Sequence, residues 1–350
     1  MVPLQDLMKF YQWNPTHVDV KKYHQLKAEG LVHIRRHPQY PIFLLNYTPR
    51  TQFRNKWCKE LILARGLVIG EDGKILARPL PKFFNHYEIS EWSQFPHQEE
   101  DCYELYEKMD GSLAIMFHYE NHRIFCTRGS FVSEQAVKAQ QIFTAKYKHV
   151  KMNKECTYCF EVIYPQNKIV VVYEDIEDLF LISITHTTSG KEIAIDSAGF
   201  KTVERIQTQG ISFAQWLEYD LPNKEGYVMK FKNVLNNPLR VKIKFDTYVK
   251  KHKGKSVSAK AIKRSMKKME SINLDNIPDE CFEEVKEIKS QMENEFECKK
   301  RKIESEYETI IKQNNTTRDV IEAIKQSEYQ SILFSIHGKK PYELLVWKSL

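Results

Sequence analysis

Short runs of Val, Ile, Leu, Tyr and Phe, each broken by Gly, Asn, Asp or Pro, dominate the chain up to about residue 245. Runs of this length and composition predict strands. They fall at Tyr40–Tyr47, Leu67–Ile69, Leu113–Tyr119, Arg123–Thr127, Tyr158–Ile163, Ile169–Tyr173, Leu179–Thr185, Tyr227–Phe231 and Arg240–Phe245. From Ser133 to Lys146 the spacing becomes helical. Ala136, Ala139, Gln140 and Phe143 share one face there, and Ser133 stands at the capping position. Two shorter helices are predicted at Phe200–Ile206 and Phe213–Leu217. Together these elements predict an α+β fold with antiparallel sheets.

Near Thr247 the pattern changes. Lys250 to Lys268 holds nine Lys or Arg residues and no acid, with Gly254 and three serines interspersed. Such a run is either a solvated linker or helix face, or a strip that contacts phosphates. Beyond it, Phe282, Val285, Ile288, Met292, Phe296, Ile303, Tyr307 and Ile310 recur at intervals that mark an amphipathic helix. A second helical pattern runs from Val320 to Ile336 and stops at Gly338 and Pro341. Lys299 and Glu306 interrupt a coiled-coil seam, which favours a small packed helical domain. The expected division is therefore residues 1–246 and residues 247–350.

Composition narrows the classes. At 350 residues the chain suits about two domains. With 42% hydrophobic and 12% aromatic residues it can build a core, which excludes global disorder. The 53 basic residues exceed the 46 acidic ones by the stated +7, a slight tilt toward polyanions. No run approaches the roughly 18 apolar residues of a membrane span. The opening Met1–Asp6 lacks the basic and apolar parts of a secretory signal. Seven scattered cysteines suit a reducing compartment, so a cytoplasmic location without membrane contact is expected. Cys156 and Cys159 lack a second ligand pair and read as buried thiols, not as a zinc site.

The densest chemistry lies in Tyr106-Glu107-Lys108-Met109-Asp110-Gly111-Ser112. An apolar strand enters, a lysine stands at its end, Asp-Gly turns the chain and another strand leaves. Alone, this would be an ordinary hairpin with an exposed lysine. Further motifs follow the same order along the chain: Ala64-Arg65-Gly66, Pro81-Lys82-Phe83-Phe84-Asn85, Thr127-Arg128-Gly129-Ser130, Phe160-Glu161-Val162-Ile163 with Asn167–Val171, Glu225-Gly226-Tyr227-Val228 and Val241-Lys242-Ile243-Lys244. This ordered set resembles the T4 RNA ligase 1 family, within the covalent nucleotidyltransferases that also include DNA ligases and capping guanylyltransferases.

The resemblance implies an ATP-grasp-like ligase domain of antiparallel sheets with flanking helices, followed by a small all-α domain. It implies an ATP-dependent RNA ligase that joins a 5′-phosphate to a 3′-hydroxyl through lysyl-AMP and RNA-adenylate intermediates. Lys108 would be the nucleophile. Arg65, Lys82, Arg128, Lys242 and Lys244 would surround it, favour the free amine and neutralise phosphate charge. Phe84 would stack on adenine while Phe83 turns to the core. Gly111 would allow close approach to the nucleotide. Asp110 and Glu225 would assist magnesium or manganese through water, and Glu161 would touch the ribose or the metal. Arg128 stands where some relatives carry lysine. RNA is the implied partner, with broken tRNA as one substrate, the C-terminal helices as its docking surface and a separate kinase/phosphatase for end healing. Gly254-Lys255-Ser256 is no phosphate loop, because Val249 stands where that motif needs glycine, and His186-Thr187-Thr188 lacks a second H-x-T. A DNA ligase, a GTP-using capping enzyme and a non-catalytic RNA-binding protein are the competing readings.

Overall fold

Strand alternation organises most of the chain up to Lys244 in the computed structural model, which describes residues 1–94, 102–195, 199–232, 238–254, 259–270, 272 and 281–350. The chain divides into two compact units, Met1–His252 and Lys253–Leu350.

Three sheets carry the first unit. β2 (Val32–Arg36), β3 (Ile42–Tyr47), β4 (Arg65–Gly70) and β5 (Ile75–Ala77) form a four-stranded antiparallel sheet in that order. Helices α3 (Pro49–Phe53) and α4 (Lys59–Leu63) fill the connection from β3 to β4. A six-stranded sheet runs β10 (His122–Thr127), β9 (Ser112–Tyr119), β11 (Cys156–Ile163), β12 (Asp178–His186) and β13 (Glu192–Ile193), with β14 (Lys201–Thr202) parallel along β12. The five-stranded sheet has the order β15 (Arg205–Ile206), β8 (Tyr103–Lys108), β16 (Gly226–Phe231), β17 (Arg240–Lys244) and β6 (Phe84–Asn85). A short parallel pair, β1 (Val2–Pro3) and β7 (Ile89–Ser90), completes the strands.

Apolar layers follow from this alternation. One face of the five-stranded sheet buries Tyr103, Leu105, Tyr227, Met229, Phe231, Val241 and Ile243. Leu4, Leu7 and Tyr11 of α1 (Leu4–Gln12) join them, with Phe213 and Trp216 of α6 (Phe213–Glu218). Ala139 and Ile142 of α5 (Glu134–Ile142) pack on Tyr158, Phe160 and Leu181 of the six-stranded sheet. Ile42, Leu44 and Val68 meet Ile115, Phe117 and Ile124 between the other two sheets. Helix α2 (Val20–Ala28) places Tyr23 and Leu26 beside Leu45, Leu67 and Ile69 on the outer face.

The second unit contains α8 (Ala259–Lys267), α9 (Phe282–Gln313), α10 (Thr317–Gln326), α11 (Gln330–His337) and α12 (Glu343–Ser349); α7 (Asp246–Gly254) precedes them. Phe296, Ile303, Val320, Ile324, Leu333 and Val346 make its core, and Phe296 stacks on Trp347 at 4.4 Å. Within the basic strip, Ile262 and Met266 are buried while Lys263, Arg264 and Lys268 are exposed; 255–258, including part of Gly254-Lys255-Ser256, lie outside the described residues. No helix among the described residues is long and apolar enough to cross a membrane.

The α+β class with antiparallel sheets and a helical C-terminal region is as expected, but several elements differ. Ile169–Tyr173 is not a strand, because the Val170 and Val171 amides donate to the Asp110 carboxylate and not to a neighbouring strand. Phe200–Ile206 is not a helix; Lys201–Thr202 and Arg205–Ile206 add to the edges of two sheets. The pattern from Val320 to Ile336 is two helices, broken where the Ser327 hydroxyl accepts from the Tyr329 amide. Ser133 does cap α5, accepting from the Ala136 amide, and the helix ends in a wider π turn over Phe143–Tyr147.

Candidate active site

Register across three strands builds one wall of the site. Lys108 of β8, Gly226 of β16 and Lys244 of β17 lie in one row. Tyr106, Val228 and Lys242 form the next row, then Glu104, Lys230 and Arg240. Because side chains alternate, all of these except the glycine line a single cavity of about 470 Å³. Arg65, Phe83, Glu161 and Ile182 complete its lining. Gly226 adopts φ 147°, and a Cβ there would sit 2.0 Å from the Ile243 carbonyl oxygen and 2.9 Å from the Lys244 Cα. Only glycine lets β17 approach so closely.

A buried carboxylate ties the row together. Lys108 Nζ donates to Glu225 Oε2 at 2.6 Å, and Lys244 Nζ lies 3.2 Å from Glu225 Oε1. Glu225 is 4% exposed in its side chain, against 22% for Lys108, so the lysine is the member that reaches the cavity. Glu161 faces the same space and accepts from the Gly111 amide at 3.1 Å. Burial pushes the Glu161 carboxyl up to about 7; Lys108 and Arg65 oppose that rise, while Glu225 and Asp110 add to it.

The turn after Lys108 is fixed from within. Asp110 Oδ2 accepts from the Val170 and Val171 amides at 2.8 and 2.9 Å, and Oδ1 accepts from Tyr248 Oη at 2.8 Å. The Asp110 amide donates to Tyr173 Oη at 2.7 Å. Both carboxylate oxygens of Asp110 are thus engaged inside the protein, at 4% exposure. A Cβ on Gly111 would meet the Val162 carbonyl oxygen at 2.6 Å. The close approach that requires glycine here is therefore to β11.

The two phenylalanines are reversed from expectation. Phe84 pairs in register with Val241 and is buried in the core, edge-on to Trp57. Phe83 lines the cavity, with Arg65 5.2 Å and Lys242 5.5 Å from its ring centroid. Strand alternation holds, but the parallel pairing of β6 on β17 decides which ring faces inward. Lys82 is 1% exposed, its Nζ within 4.8 to 5.6 Å of the Phe84, Trp57 and Tyr47 rings. Arg128 donates to Tyr47 Oη at 3.0 Å. Of the five cations expected around the amine, Arg65, Lys242 and Lys244 line its cavity. Lys82 and Arg128 meet instead at Tyr47. Glu192, Lys230 and Arg240 are cavity residues not singled out in the sequence. Glu192 of the six-stranded sheet pairs with Lys230 at 2.7 Å and with Arg240 at 2.5 Å on the five-stranded sheet. Continuing the two-residue step from Gly226 and from Lys244 would have reached both cations.

A family model described as RNA ligase, of the T4 RNA ligase 1 type, matches residues 63–249. The chain belongs to this RNA ligase family. The match encloses all seven motifs and the whole cavity wall. A bifunctional polynucleotide kinase/RNA ligase of Autographa californica nuclear polyhedrosis virus is 26% identical over 251 residues, 64% of this chain and 35% of that protein. This RNA ligase family member therefore spans about a third of the length of that relative. Among solved structures, an archaeal ATP-dependent RNA ligase is 16% identical with a TM-score of 0.47, covering 72% of this chain and 65% of that one. A Naegleria gruberi RNA ligase variant with ATP and Mn is 17% identical with a TM-score of 0.37, covering 46% and 54%.

Proposed function

We propose that the chain is an ATP-dependent RNA ligase with Lys108 as the nucleotidyl acceptor. The observation that carries this reading is the row Lys108–Gly226–Lys244 with Glu225 between its amines, at the end of a cavity lined by further cations. In the first step Lys108 Nζ attacks the α-phosphorus of ATP. A P–N bond forms, the bond to the bridging oxygen breaks and pyrophosphate leaves. The amine must first lose a proton, and Glu225 Oε2 is the acceptor within hydrogen-bond distance. Arg65, Lys242 and Lys244 hold the phosphate charge. AMP then passes to the RNA 5′-phosphate, and the 3′-hydroxyl attacks that phosphate and releases AMP.

Among the described residues no group of three or more His, Cys, Asp or Glu side chains is placed to hold a metal. With both oxygens of Glu225 and of Asp110 engaged, the donors fit an ion that arrives on the nucleotide and keeps its waters, magnesium or manganese. Such an ion would screen charge on the phosphates. The natural substrate we propose is a single-stranded break such as that in a cleaved tRNA loop, with end healing by a separate kinase/phosphatase. The exposed Lys263 and Arg264 face of α8 would help dock the RNA.

Incubation with α-labelled ATP tests the reading. Wild type should carry a covalent label that is lost in Lys108→Ala, and an unlabelled wild-type chain would refute it. Charge reversal at Lys263 and Arg264 should weaken RNA joining without touching the label.

A further inference from the structure

The apolar layer between the four-stranded and six-stranded sheets does not close with aliphatic side chains at its outer end. Strand alternation carries the same face beyond Leu44, Phe117 and Ile124 to His37, Tyr40, Tyr119 and His122. Phe131 joins them from the loop just after Thr127-Arg128-Gly129-Ser130. The five rings form a connected row. His37 lies 4.9 Å from Tyr40 and 4.7 Å from Phe131, and Tyr40 lies 5.4 Å from both Tyr119 and His122. His122 is exposed and the other four are partly exposed.

The row is held in place before any ligand arrives. His37 Nδ1 accepts from the amides of Gln39 and Tyr40 at 3.1 and 3.2 Å, which fixes the turn that presents both rings. Burial lowers the pKa of His37 below its ordinary value, so its ring is a neutral aromatic surface at neutral pH. Arg35, two residues before His37 on the same strand face, is exposed. Arg36 and Arg123 are exposed too but alternate to the other faces of their strands, Arg123 at 4.3 Å over the Phe143 ring. No ion pair joins Arg35 or Arg36 to an acid among the described residues. Glu120 is the one acid in the segments 35–41, 119–123 and 129–132.

We propose that this ring row is a stacking platform for the single-stranded RNA on which the ligase acts, an inference that rests on the RNA ligase reading above. Bases stack on exposed aromatic faces with little regard to sequence, and neighbouring arginines hold the phosphates. The place suits it. The turn between β2 and β3 lies five residues along β4 from Arg65, about 17 Å at roughly 3.3 Å per residue. An RNA strand whose end enters the cavity can therefore run outward over the row. Duplex RNA, its bases already stacked, has no use for such rings.

The test measures binding of a fluorescently labelled single-stranded oligoadenylate by anisotropy. Two variants are compared with wild type: Tyr40→Leu combined with His122→Ala, and Arg35→Glu alone, the latter at an exposed site that folding does not depend on. The first should raise the Kd about tenfold. The second should raise it too, and flatten the dependence of log K on log salt by about 0.7 or more. Both should take the covalent AMP label as wild type does. Unaltered RNA affinity in the ring variant would overturn the platform, as would an equal loss for duplex RNA in that variant. A wild-type chain that takes no label would instead remove the ligase reading, so the two failures are distinguishable.

Discussion

Glu225 Oε2 lies 2.6 Å from Lys108 Nζ while its other oxygen lies 3.2 Å from Lys244 Nζ, so one buried carboxylate balances two amines from different strands. Removing it leaves two ammonium groups facing one another across Gly226. Breaking a buried pair from one side costs about 3 kcal/mol. Glu225→Gln should therefore lower the melting temperature by roughly 6–12 °C. It should also slow formation of the AMP label, because the nearest proton acceptor is gone. Lys108→Ala should melt close to wild type, since Lys244 still pairs with the carboxylate. Thermal unfolding of the two variants side by side checks this; equal melting of wild type and Glu225→Gln would contradict it.

Phe83 and Phe84 separate wall from core. Phe83→Ala removes the ring over which Arg65 and Lys242 lie and should raise the KM for ATP. Because Phe83 is only 7% exposed, the change should also lower stability, though by less than Phe84→Ala does. Phe84→Ala empties a fully enclosed site beneath Lys82 and should cost about 3–5 kcal/mol. Steady-state label formation together with urea unfolding distinguishes them. The opposite assignment, with Phe84→Ala folding normally and losing ATP affinity, would restore the expectation drawn from the sequence.

That reversal shows what the sequence could and could not supply. Alternation is local, so the sequence showed that the two rings point opposite ways. Which one points inward depends on β6 pairing parallel with β17, more than 150 residues away, and nothing local encodes that register. The same applies to Asn167–Val171, whose apolar run resembles a strand until Asp110 claims its amides. Lys242 and Lys244 were legible because they stand two apart on a strand whose apolar neighbours Val241 and Ile243 face the core. Lys108, at the end of β8, and Glu225, just before β16, stood out only through their motifs. Lys82 and Arg128 carry the right charge in the right motifs, yet their side chains settle on Tyr47, a tertiary partner that no motif names. Helix α1 was legible in principle: Leu4, Leu7 and Tyr11 recur at helical spacing and are buried together.

Glu161 gives a pH signature. Its carboxyl is pushed from 4.5 up to about 7, chiefly by burial. Below about pH 4.5 it is protonated in folded and unfolded chains alike and contributes no difference. Between 4.5 and 7 the unfolded chain releases the proton while the folded one keeps it, so stability falls with rising pH across that window. Above 7 the folded chain also releases it and the penalty is complete. Glu161→Gln should remove this component: the stability difference, variant minus wild type, should grow from pH 4.5 to 7 and then level off. Urea midpoints of both proteins at matched pH values check the sign. A difference that stays flat would place the Glu161 carboxylate in an ordinary solvated setting.

Asp110 supports the site through hydrogen bonds made inside the protein. Its carboxylate accepts from two consecutive amides and a tyrosine hydroxyl, and its own amide donates to a second tyrosine. These bonds bind the turn that follows Lys108 to Asn167–Val171 and to Tyr248. An asparagine can still accept both amides on its one carbonyl oxygen and donate its NH₂ to Tyr248, so Asp110→Asn should fold, with a loss of about 1–2 kcal/mol as charge-assisted bonds become neutral. Asp110→Ala strands two amides and a hydroxyl and should cost more than twice as much. Tyr248→Phe removes a single bond and should cost about 1 kcal/mol. The order Tyr248→Phe, Asp110→Asn, Asp110→Ala in urea midpoint is the expected outcome. If Asp110→Ala were as stable as wild type yet failed to take the AMP label, the carboxylate would act on the nucleotide directly, and its bonds to Val170, Val171 and Tyr248 would be incidental.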